Sequence, residues 1–131
     1  MARGFQVSTR TEIEQEIDRL EGLTSDFSNL NPIYEEISEE KFKEFDPGQT
    51  LLMLDWGISW WEAHRERVQG IVCTHEGLHL LVKGDFKKTC AEIARILLEF
   101  VIPKTAVKLA ILIVSEGLTS FCKTYWTGRD A

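Results

Sequence analysis

Three features of the chain predict an α+β fold, mainly helical. Apolar residues recur at three- and four-residue spacing near both ends of the sequence, the signature of amphipathic helices. A β-branched run, Ile71-Val72-Cys73-Thr74, faces the apolar run Leu78 to Val82 across Glu76-Gly77, as in a two-residue hairpin turn. Pro103 separates two long apolar stripes. The expected molecule has acidic N-terminal helices, a central β-hairpin over about 68–83, and two long C-terminal helices packed on that hairpin. Its 131 residues suit one domain, with an acidic helical region over 1–49 that can be partly mobile and a core over 50–131.

The first helix is expected to start at Thr9 or Thr11, each followed three residues later by Glu12 or Glu14 in capping-box spacing, and to carry Ile13, Ile17 and Leu20 up to Gly22. Residues 23–31, rich in Ser, Asn, Asp and Thr, read as a loop. Asn31-Pro32 then supplies a cap and a first-turn proline for a second helix over 32–45. That helix would turn Ile33, Ile37 and Phe42 inward and Glu35, Glu36, Glu39 and Glu40 outward. Thr50 to Val68 fits two periods. Leu52, Leu54, Trp56, Ile58 and Trp60 alternate like a strand, whereas Leu51, Leu54, Ile58 and Trp61 fit a helix, so a strand near 50–56 with a helix over 60–68 reconciles them. In the hairpin, Ile71, Cys73, Leu78, Leu80 and Val82 would share one apolar face. Asp85 can cap the helix that covers it, with Phe86, Cys90, Ile93, Leu97 and Val101 on one side. After Pro103, Val107, Ala110, Ile111, Val114, Leu118, Phe121, Cys122 and Tyr125 form the last stripe. Leu109, Leu112 and Ile113 add apolar surface on its other sides, so this helix is either central or keeps a face for a partner.

Charge narrows the function. Fifteen basic against twenty-one acidic residues leave −6, the wrong sign for neutralising phosphates, so no nucleic acid is expected as partner. Residues 10–55 hold thirteen acids and four bases, whereas 56–131 hold eight and ten. An acidic half steers a basic partner and keeps the chain in solution. No membrane span is expected, because charged residues interrupt the most apolar region, Ala91 to Val114. Cys73, Cys90 and Cys122 are odd in number and widely spaced, so buried, unpaired thiols in a cytoplasmic protein are expected.

His75-Glu76-Gly77-Leu78-His79 matches H-E-x-x-H, in which two histidines one helical turn apart hold zinc and the glutamate activates water. The chemistry requires a helix there. Gly77 disfavours one, Lys83-Gly84-Asp85 stops any helix soon after, and no third histidine follows. In a hairpin the two histidines would face opposite ways, so no cofactor is expected, zinc at His75 and His79 being the alternative. Lys83, Lys87 and Lys88 around the Asp85 helix start read as a solvated end rather than an anion site.

Of the four tryptophans Trp60 and Trp61 are adjacent, so at least one points away from the local core; large aromatics chiefly pack in the interior, and the alternative reading makes Trp60, Trp61 and Trp126 interface anchors that join Leu112 and Glu35, Glu36, Glu39 and Glu40 as candidate contact residues. The function these features favour is a non-enzymatic protein-interaction module, a small acidic inhibitor, immunity or adaptor protein acting on a protein partner, with a homodimer through the last helix as a further expectation. The alternative is a zinc-dependent hydrolase with Glu76 as its base, or an enzyme whose site is assembled from distant residues.

Overall fold

The computed structural model describes residues 2–41, 50–78 and 84–126, and every regular element among them is helical. Helix α1 spans Ala2–Leu23, α2 Asn31–Lys41, α3 Thr50–Val72, α4 Phe86–Leu97, α5 Pro103–Glu116, α6 Leu118–Phe121 and α7 Lys123–Trp126. The expected α+β fold is therefore corrected to an all-helical one. The strand placed near 50–56 lies within α3, and the first strand of the hairpin is the end of α3, through Val72, followed by a turn at Cys73 and Thr74. Trp61, Val68 and Val72 explain this: at separations of seven and four they fall on one helical face, and all three are buried, together with Gly57 one turn earlier. Burying each of these side chains contributes about 1.5–3 kcal/mol, which outweighs the few tenths by which a β-branched residue disfavours a helix. The second half of the hairpin, beyond Leu78, lies outside the described residues.

Helix α5 is the centre of the fold. Nine successive residues, Thr105 to Ile113, are buried, so its all-round apolar character is used within one molecule. α4 and α1 pack on it, and α2 packs on α3 in the most extensive helix pair. The acidic N-terminal region belongs to this same core through Ile13, Ile17, Leu20, Ile33 and Ile37. Leu112, expected to serve a dimer face, is only 4% exposed.

Local signals account for the ends of the elements. Asp85 caps α4 as expected, its carboxylate accepting from the Lys88 amide at 3.2 Å. Pro103 opens α5. Gly117, at φ 102°, ends α5 and splits the expected last helix, a conformation that favours glycine. Thr9 and Thr11 are not caps, because α1 begins before them. Between α1 and α2, Ser25, Asp26 and Phe27 are all left-handed, and buried Thr24 braces the turn by donating to the Leu20 carbonyl and accepting from the Phe27 amide. Phe27 then stacks on Phe86 at 4.6 Å, which joins this turn to the start of α4.

Cys73 and Cys122 form a disulfide, with Cα atoms 5.4 Å apart, that ties the end of α3 to α6. The expectation of three unpaired thiols is corrected accordingly. Cys73 directly follows α3 and Cys122 directly follows α6, and folding brings the two helix ends together across 49 residues. Cys90 alone is a free, buried thiol among the described residues, and burial, with the Asp85 charge second, pushes it up to about 12.

Candidate functional site

A groove of about 720 Å³ opens between the turn that follows α3 and the outer shoulder of α4. Its first wall is the end of α3 and residues 74–78; its second is Glu92, Arg95, Ile96, Glu99 and Phe100. Helical spacing explains the second wall. Cys90, Ile93, Ala94 and Leu97 face the core, so Glu92 and Ile96 fall on the adjoining strip of the cylinder, and Glu99 follows in the turn after α4. Phe100 follows the end of α4 and stays 52% exposed, and Ile102, two residues on, is 61% exposed. The groove thus pairs an apolar lining of Ile71, Ile96 and Phe100 with a rim of Glu76, Glu92 and Glu99. Arg95 offsets one of these charges through its 2.9 Å pair with Glu92.

His75 and Glu76 line this groove, but not as a helical metal motif. α3 ends at Val72 and Gly77 has φ 83°, so His75 and Glu76 sit in a turn and not on a helix. His79 lies outside the described residues. Among the described residues no group of three or more His, Cys, Asp or Glu is placed to hold a metal.

The predicted contact residues scatter. Trp60 is half-buried, stacked on His64 at 4.1 Å with the Lys41 ammonium 5.4 Å from its ring. Trp61 is 5% exposed and stacks on Phe121 at 5.9 Å. Trp126 donates its indole N–H to the Cys73 carbonyl at 3.0 Å, anchoring α7 beside the disulfide. Trp61 and Leu112 both line a second groove, between α2, α3 and α5.

The four glutamates of α2 divide by helical phase. Glu39 is exposed and Glu35 half-buried, whereas Glu36 and Glu40 turn toward α1 and α5. There the Lys108 ammonium, on a side chain only 2% exposed, bonds Glu40 and lies 3.4 Å from Glu36 and 3.5 Å from Glu16. Thr105 also donates to Glu40, at 2.8 Å. Arg19 bridges Glu16 and Glu36 with bidentate hydrogen bonds. Burial raises the Glu16 carboxyl, but hydrogen bonding to Arg19 and the charges of Lys108 and Arg19 outweigh it and hold it below the usual carboxylate range. The Arg19 hydrogen bonds, against burial, hold Glu36 low as well. This network locks three helices together. Its signal in the sequence is Lys108, a charge inside the most apolar stretch of the chain, which requires buried partners. Lys87 pairs with Asp18 and Glu21, so the cationic start of α4 is occupied by α1.

Comparison with protein-family models, with curated proteins and with solved structures returns no match to this chain.

Proposed function

We propose that the protein is a protein-interaction module of the inhibitor or adaptor kind, which takes a basic, partly apolar segment of a partner protein into the groove between the end of α3 and α4. The observation that carries this reading is the groove itself, an apolar lining that ends on exposed Phe100 beneath three carboxylates and one arginine. An exposed aromatic supplies the anchor, and the surplus of negative charge selects a cationic occupant. No helix among the described residues is long and apolar enough to cross a membrane.

The test is selection of peptides from a displayed random library, followed by amide-shift mapping of the best binders. The expected sequences combine Lys or Arg with one large apolar residue, and the shifts fall on Gly70 to Leu78 and Glu92 to Phe100. Their affinity drops at least about tenfold in a Glu76→Lys/Glu99→Lys double variant and falls with salt as the Debye length contracts. Binders without basic residues, or shifts on another face, would overturn the proposal.

A further inference from the structure

The second groove shares no lining residue with the first and has a volume of about 540 Å³, within the usual range of small-ligand sites, roughly 300–1,000 Å³. We infer that it is a binding site for a small amphipathic amine, with one cationic nitrogen and a ring or branched aliphatic body. Its floor is preformed. Trp61 and Leu112 are nearly sealed from solvent, and Trp61 is held from behind by Phe121. One wall is fixed twice over, because Arg65 is bound bidentately by Glu116 while its guanidinium lies 4.9 Å from the centre of the Phe121 ring. The opposite side is set by Tyr34, whose backbone lies against Gly57 too closely for any side chain to intervene. A site with so little freedom left has little ordering entropy to lose on binding.

Charge chooses the ligand. Glu62 and Glu116 face a single guanidinium, Arg65, which leaves the groove one negative charge, and Glu62 makes no ion pair among the described residues. The Tyr34 phenol lies in the same field: burial first, then the Glu116 charge, raise it above its ordinary value, with Arg65 opposing. An ammonium placed beside Glu62 and the Tyr34 hydroxyl would neutralise the surplus while its apolar body covers the half-buried Leu30 and Ile58 and the edges of Trp61 and Leu112 that the groove reaches. A carboxylate would meet a negative rim whose arginine is already committed.

Titration with phenethylamine and with 3-phenylpropionate, equal in ring and near-equal in length but opposite in charge, tests this by calorimetry and by the Trp61 indole and Leu112 methyl resonances. The amine is expected to move both resonances saturably with Kd below about 1 mM, a reasonable efficiency for so few heavy atoms. The acid should give no saturable shift. Glu62→Gln, at an exposed position that leaves the fold intact, should weaken the amine about tenfold, and Glu39→Gln, exposed on α2 and outside the groove lining, should leave it unchanged. Equal binding of amine and acid, shifts elsewhere than Trp61 and Leu112, or an unchanged Kd in Glu62→Gln would each overturn the inference. None of these outcomes bears on the α3–α4 groove, which a peptide occupies and which is read by different resonances.

Discussion

A methyl group on Gly57 would sit 2.0 Å from the Tyr34 carbonyl oxygen and 2.6 Å from its carbon, so α2 and α3 meet here backbone to backbone. Neither atom is the flexible tip of a side chain, and a larger residue must push the helices apart. Gly57→Ala is therefore expected to cost more than about 3 kcal/mol despite the gain of up to about 1 kcal/mol that alanine brings to a helix interior. Gly22→Ala is the matched control, because nothing lies within 4 Å of its Cβ position and it too is helical. It should stabilise by up to about 1 kcal/mol. Urea unfolding of the two variants measures both, and equal effects of the same sign would show that the α2–α3 contact is looser than this geometry requires. No residue pattern announces Gly57. Its role depends on a carbonyl twenty-three positions away.

At the scale of elements, α1, α2 and α5 are joined by Lys108 and Arg19 against Glu16, Glu36 and Glu40. Lys108→Met keeps the bulk but leaves three crowded carboxylates with one cation, which is expected to cost about 3–5 kcal/mol at neutral pH. The pH dependence has a definite sign. Glu16 and Glu36 have folded values below their unfolded ones, so their contribution is present above the usual carboxylate range and is lost as pH falls through the folded values. Wild-type stability should thus fall in acid. In Lys108→Met the carboxyls lose their ammonium and protonate more readily, so the gap between variant and wild type should narrow as pH is lowered. Thermal melts of both proteins across the acid range decide this, and a constant gap would count against the charge network. The outward acidic face read from α2 holds only in part: Glu35, Glu39, Glu36 and Glu40 span an arc of about 140°, and the Glu36–Glu40 edge, which adjoins Ile33 and Ile37, faces the neighbouring helices.

For the whole molecule, the Cys73–Cys122 bond closes a loop of 49 residues, reinforced by Gln69 donating to the Phe121 carbonyl at 2.8 Å. Chain-entropy arithmetic for such a loop gives about 4 kcal/mol, so Cys122→Ala should lower stability by an amount of that order. Alkylation in denaturant without reductant should label Cys90 alone, and three cysteines after reduction. Labelling of all three without reductant would show the bond to be absent. Disulfides persist in oxidising surroundings, which removes the support that unpaired thiols lent to a cytoplasmic setting.

Ile13, Ile17 and Leu20, Ile33 and Ile37, and Cys90, Ile93 and Leu97 were legible as helix faces, as were the Asp85 cap and the proline that opens α5. Periodicity and capping are properties of neighbours in the chain, and there the amino acids suffice. The turn at Gly77 was legible too, because a positive φ is glycine's own preference. Its setting was not. Ile71 and Val72 suit a strand as isolated residues, and only the burial of Trp61, Val68 and Val72 on one face makes that stretch the end of a helix. Both grooves, the pairing of Cys73 with Cys122 and the partners of Lys108 likewise rest on contacts between distant segments. Local preferences of a few tenths of a kcal/mol per residue yield to packing worth several times more, and packing depends on which faces meet.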